Sequence, residues 1–209
     1  MIDLLKHIFQ LDFKWIFDLF GNYTYLILFV IIFIETGLVL MPFLPGDSLL
    51  FTAGLFAHLG YLNLSYLLCL LFIAAVLGDN VNYFIGKSLG QKLLKLTRKN
   101  EPLIKAEHVQ KTHDFYAQYG TKTIIMARFA PILRTFAPFV AGLANMNYRK
   151  FVVFDLIGGI LWIGSLTLAG YFLGQFEVVK NNIEKVAILI ILVSMLPVLI
   201  EVFKKKTTK

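Results

Sequence analysis

The chain has 209 residues, of which 58% are hydrophobic, and its mean hydropathy is +0.73. Soluble domains hold about 45–50% apolar residues, so composition excludes an ordinary soluble protein and points to a polytopic membrane protein with one membrane domain. The formal charge of +7 would suggest nucleic acid in a soluble chain. Here the basic residues gather in 87–122 and in the tail Lys204, Lys205, Lys206 and Lys209, as in segments held at the cytoplasmic face by anionic head groups. Membrane lipids rather than nucleic acid are the expected partners.

Residues 2–20 set Ile2, Leu5, Ile8, Phe9, Phe13 and Phe17 at helical spacing among charges. This predicts an amphipathic helix on the membrane surface rather than a cleavable signal peptide. Residues 23–41 form an apolar run that Glu35 interrupts and Pro42 ends. Pro45-Gly46-Asp47-Ser48 restarts a second run, 49–59, too short to cross about 30 Å of hydrocarbon as a helix. Two half-length helices around a Pro-Gly break predict a re-entrant hairpin. Residues 64–86 are a spanning helix with Asp79, Asn80 and Asn82 near its end. Residues 87–119 are basic, helical in period and outside the bilayer. Residues 120–143 repeat the hairpin, with Pro131 and Pro138 as breaks. Residues 151–173 span next, with Asp155 near the start and expected at the interface. Residues 186–203 span last, with Pro197 as a kink.

The chain also repeats itself. Phe51-Thr-Ala-Gly-Leu55 matches Phe139-Val-Ala-Gly-Leu143, and Tyr83-Phe-Ile-Gly86 matches Tyr171-Phe-Leu-Gly174, both at an offset of 88 residues. This divides the single domain, 1–209, into repeat 1 (23–86) and repeat 2 (120–174). With the basic segment cytoplasmic, the spanning helices of the repeats run in opposite directions and the C-terminus is cytoplasmic. The predicted fold is therefore all-α, with two inverted repeats, each a re-entrant helical hairpin followed by a transmembrane helix. An N-terminal amphipathic helix and a C-terminal transmembrane helix flank them. Inverted repeats with broken helices are the signature of secondary transporters.

The two breaks carry the chemistry. Glu35 and Asp47 flank one, Arg128 and Arg134 the other. An ionisable group at the bilayer centre costs about 2.5–3.5 kcal/mol on insertion scales and is rare without a function. A regular helix would turn the six residues between the arginines by about 600° and part them by roughly 9 Å. The Pro131 break lets both line one pocket. Guanidinium forks suit phosphate, and the carboxylates suit proton transfer. Pro45, Gly46, Ser48, Asp79, Asn82 and Pro131 are further candidates for lining the cavity.

These residues resemble those of a known family. Glu35…Pro42-Phe-Leu-Pro-Gly-Asp47, Gly78-Asp-Asn-Val-Asn-Tyr-Phe-Ile-Gly86 and Ala127-Arg-Phe-Ala-Pro-Ile-Leu-Arg134…Ala141-Gly142 are similar to motifs of the DedA family of bacterial inner-membrane proteins. The resemblance covers roughly residues 20–203. It implies opposed re-entrant hairpins and a flippase of an anionic lipid carrier, with undecaprenyl phosphate as the substrate and a link to the proton motive force. The family's acidic pair maps to Glu35 and Asp47, its arginine pair to Arg128 and Arg134.

Three other readings use the same residues. A proton- or cation-coupled antiporter for a small solute would need the same carboxylates. A membrane scaffold would need no polar groups at depth. A structural lock would need only that four charges neutralise one another. A homodimer is compatible with the chain's size. No catalytic residues, cofactor or metal are expected: Gly-rich phosphate loops, HExxH and nucleophile elbows are absent from the sequence, the four histidines share no ligand spacing, and Cys69 has no partner for a disulfide.

Overall fold

The computed structural model describes residues 20–21, 23–38, 46–95, 97–98, 101–102, 122–180, 182, 186 and 189. The amphipathic helix expected over 2–20, Pro42, Pro45, most of the basic segment and most of 186–203 lie outside the described residues. The elements are α1 (Tyr23–Gly37), α2 (Gly46–His58), α3 (Leu64–Lys95), β1 (Thr97–Arg98), β2 (Glu101–Pro102), α4 (Lys122–Ala127), α5 (Pro131–Leu143), α6 (Tyr148–Leu173) and α7 (Glu177–Lys180). The described fold is thus helical, apart from a two-residue antiparallel ladder in which Arg98 faces Glu101. Helix α3 runs nine residues beyond the expected boundary at 86, into the segment read as a separate basic region. The apolar windows Leu64–Leu89 and Tyr148–Leu173 have 26 residues each. At 1.5 Å per residue each extends about 39 Å, more than the hydrocarbon core needs. Helices α1, α2 and α5, with 15, 13 and 13 residues, fall short of that length.

The chain divides into two compact units, with the divisions falling inside α1, α3 and α6. One contains 1–31, 45–71 and 164–209. The other contains 32–44 and 72–163.

In the first unit, α2 ends on a left-handed residue, Gly60 (φ +85°). The Tyr61 N–H returns to the Phe56 carbonyl at 3.1 Å and the Gly60 N–H to Ala57 at 3.2 Å. This is a Schellman turn, which satisfies carbonyls that the helix end would leave bare. Asn63 then caps α3: its Oδ1 accepts from the Tyr66 N–H at 3.0 Å, and its carbonyl accepts the first helical bond from Leu67.

The second unit repeats the arrangement. Helix α5 ends at Asn145 (φ 52°), the Met146 N–H bonds to Ala141 and the Asn145 N–H to Gly142, both at 3.0 Å. Asn147 caps α6 by accepting from Arg149 and Lys150. Asparagine tolerates the left-handed region that only glycine adopts freely, so Asn145 can stand where the first half has Gly60.

Glycines let backbones touch in the same pattern. In the first unit, a Cβ at Gly54 of α2 would collide with Thr167 and Tyr171 of α6, and one at Gly170 with Phe51. In the second, a Cβ at Gly142 of α5 would collide with Tyr83 of α3, and one at Gly86 with Phe139. Gly54 and Gly142 are 88 residues apart, as are Tyr83 and Tyr171. Tyr83 stacks on Phe151, with ring centroids 4.6 Å apart. Its hydroxyl donates to the Met146 carbonyl at 2.5 Å, tying the turn after α5 to α3. Tyr83, Ile124, Ala141 and Phe151 form one buried apolar cluster of this unit.

Gly54→Leu and Gly142→Leu should each destabilise the protein by about 1–3 kcal/mol or more, because the added side chain meets backbone that cannot rotate away. Leu133→Ala, at an exposed position, should change little. Thermal unfolding of the purified protein in detergent checks the comparison.

Candidate functional site

The Arg128–Arg134 break forms as the sequence predicts at Pro131. The residue before a proline is pushed out of the helical region, and Ala130 is extended at φ −111°, ψ 114°. Before it, Arg128, Phe129 and Ala130 each donate to the carbonyl three residues back, so the chain tightens and α4 ends. Pro131 takes the first helical position of α5, where its missing N–H is no loss. Arg128 thus lies in the turn and Arg134 one turn into α5. Pro138, expected to be a second break, lies inside α5 without ending it; it removes only the donor that the Arg134 carbonyl would otherwise receive.

Both arginines are buried, at 4% and 6% exposure. The Arg134 Nη2 donates to the Oε1 of Glu35, in the last turn of α1. Its guanidinium carbon also stands 4.8 Å from the centre of the Trp162 ring on α6, near enough for a cation–π attraction. The Arg128 Nη2 donates to two carboxylates, Oδ2 of Asp79 on α3 and Oδ1 of Asp155 on α6, the latter at 2.5 Å. Asn82, one turn beyond Asp79 and fully buried, donates from Nδ2 to the Thr36 carbonyl at 3.0 Å and the Thr135 carbonyl at 2.7 Å. Thr36 follows Glu35, and Thr135 follows Arg134. One amide therefore fixes the backbone on both sides of the Glu35–Arg134 pair. The Thr36 carbonyl lies at the helix end, where an outside donor is needed.

Room for Arg128 comes from α6. A Cβ at Gly158 would stand 2.7 Å from the Arg128 Cδ and 3.1 Å from its Nε. A Cβ at Gly159 would stand 3.1 Å from the Phe72 ring and 3.8 Å from the Arg128 guanidinium carbon. Asp155 and Gly158-Gly159 thus form one surface, one turn apart on the helix, that receives the arginine.

Of the predicted residues, Glu35, Asp79, Asn82, Arg128 and Arg134 come together in the second unit. Asp47, half-buried, and the buried Gly46 and Ser48 begin α2 in the first unit. There the Asp47 carboxylate complements the positive end of the helix. Pro45 and the side chain of Pro131 lie outside the described residues. The expectation that Asp155 sits at the interface is corrected. Helix α6 starts at Tyr148 rather than 151, which puts Asp155 two turns in, fully buried on Arg128. The pattern Asp155-x-x-Gly158-Gly159 inside a spanning run was the signal: a carboxylate beside two missing side chains makes space for a large cation. Trp162 carries no such signal in the sequence.

Removing one partner of a buried charge set costs about 3–5 kcal/mol when it leaves a charge uncompensated. Arg128→Met leaves two carboxylates facing each other, whereas Asp79→Asn leaves a balanced Arg128–Asp155 pair. Arg128→Met should therefore lower the unfolding temperature markedly more than Asp79→Asn, as measured by thermal unfolding at neutral pH.

Comparison with known proteins agrees with this reading of the chain. A model of the VTT domain matches residues 44–172. Protein DedA of Escherichia coli (strain K12) is 46% identical over 208 residues, 99% of this chain and 94% of that protein. An uncharacterized membrane protein of Mycobacterium leprae (strain TN), ML0287, is 48% identical over 171 residues, 82% of this chain and 76% of that one. Inner membrane protein YqjA of Escherichia coli (strain K12) is 34% identical over 179 residues, 86% and 79% of the two chains. No solved structure matches. With two helices of membrane-spanning length and apolarity, charges buried between helices, and relatives aligned over nearly its full length, the chain belongs to the DedA family of VTT-domain membrane proteins.

Proposed function

We infer that the protein is a flippase for an anionic lipid carrier, with undecaprenyl phosphate as the substrate, driven by the proton motive force across a bacterial inner membrane. One observation carries this reading. Two arginines, each more than nine-tenths buried, flank a helix break in a membrane protein, and each is neutralised by carboxylates from other helices. A permanent cation with exchangeable partners is what a lipid phosphate needs to leave the water. The head exchanges its hydration for charge-assisted hydrogen bonds, while the tail stays in hydrocarbon. A purely structural lock has no need of ions, because apolar packing serves as well.

In this mechanism the phosphate takes Arg134 from Glu35 and shares Arg128 with its acids. A displaced carboxylate in a dry site can shed its charge by taking up a proton, which couples head-group entry to proton movement. Glu35 and Asp47 are the carriers assigned by this reading. Pro45, Gly46, Ser48, Asp79, Asn82 and Pro131 shape the path around them. The repeated turns, caps and glycine contacts support two inverted repeats, each with a re-entrant hairpin, and such repeats support alternating access around a site at their interface. The cytoplasmic placement of the C-terminus follows from its lysines.

The experiment is flipping of a labelled polyprenyl phosphate in proteoliposomes, with and without a pH gradient. Wild type should flip the lipid faster with the gradient, while Arg128→Ala and Arg134→Ala should each lose at least about tenfold, given the 1.5–3 kcal/mol of a charged hydrogen bond. No flipping by folded wild type would overturn the lipid reading and direct measurement to ion and solute fluxes.

A further inference from the structure

The charges around Arg128 do not balance. Arg128 provides one positive charge, whereas Asp79 and Asp155 provide two carboxylates, all three side chains buried.

The geometry at Arg128 is not that of a simple ion pair. A guanidinium meets one carboxylate best through two parallel N–H groups. Here both carboxylates converge on the same nitrogen, Nη2, while the buried Nε N–H has no hydrogen-bond partner among the described residues. Two oxygens on one nitrogen lie at most two hydrogen-bond lengths apart. The second Asp155 oxygen, Oδ2, is buried with no hydrogen-bond partner among the described residues. Carboxylates have no donor, so any direct bond between the two requires a proton. Like charges in one dry site cannot both ionise cheaply.

We propose that Asp79 and Asp155 share one proton on Arg128, and that this pair is a further proton site of the transporter, beside the carriers Glu35 and Asp47. The proposal rests on the transport reading for its purpose, but not for its existence. With the proton in place, Arg128 and its two acids are neutral together. An anionic head group arriving at Arg128 would displace one acid and change how firmly the shared proton is held. This adds a proton shared between α3 and α6, on either side of an arginine assigned to the substrate head group.

The test is infrared difference spectroscopy of the full-length protein in lipid nanodiscs, titrated from neutral to alkaline pH, read at the C=O stretch of a protonated carboxyl. Wild type should show a band that disappears as the pH rises. The band should be lost in Asp79→Asn and in Asp155→Asn, and kept in Glu35→Gln. Flipping by Asp79→Asn should respond less to a pH gradient than flipping by wild type. Absence of the band from wild type, its survival in both Asn variants, or its loss in Glu35→Gln alone would overturn the proposal. If one Asn variant does not fold, the other decides. A band that behaves as expected in a protein that flips no lipid would sink the transport reading and leave the shared proton standing.

Discussion

Among the described residues, five charged side chains are buried in a membrane protein, and they must be neutralised there. This constraint explains much of the second unit. Each charge costs several kcal/mol to remove from water, so none can stand alone. Glu35 lies 99 residues from its partner Arg134, and Arg128 draws its two acids from two different helices. The ends of α1 and α5, the middle of α3 and the first half of α6 are held together by charge.

The local structure serves that requirement. The Pro131 break puts Arg128 on a turn and Arg134 on the next helix, so the two guanidiniums meet different partners rather than following one another around a continuous helix. Missing side chains at Gly158 and Gly159 open the surface that Arg128 fills. Asn82 bridges two backbone segments next to the Glu35–Arg134 pair. The caps that begin and end the helices are short-range devices, Gly60 or Asn145 to stop a helix and Asn63 or Asn147 to start one. They fix where each long helix begins, and hence how many turns along it Asp79 and Asp155 lie.

Much of this was legible in the residues. Apolar run length located the two long helices, and the proline positions located the break between the arginines. Charges inside apolar runs singled out Glu35, Arg128 and Arg134. The repeat at 88 residues was visible in two short peptides, and the glycine contacts at Gly54 and Gly142 follow the same spacing. Partner choice was not legible, because ion pairing over long sequence distance depends on how helices pack. For that reason Asp155 read as an interfacial residue when it is a ligand of Arg128. Its depth depended on a helix start at Asn147 that apolarity alone placed three residues late. The end of α3 was also missed, because a helix continues into polar residues wherever its backbone bonds remain satisfied.

The central claim is that these arginines exchange their carboxylates for a lipid phosphate, and Trp162 allows a direct test. The chain has two tryptophans, and Trp162 lies under the Arg134 guanidinium. With Trp15→Phe as background, Trp162 fluorescence in nanodiscs should change saturably on adding polyprenyl phosphate. It should not change with the uncharged polyprenol, and the response should vanish in Arg134→Gln. An equal response to polyprenol, or no response to the phosphate in a folded protein, would contradict the account.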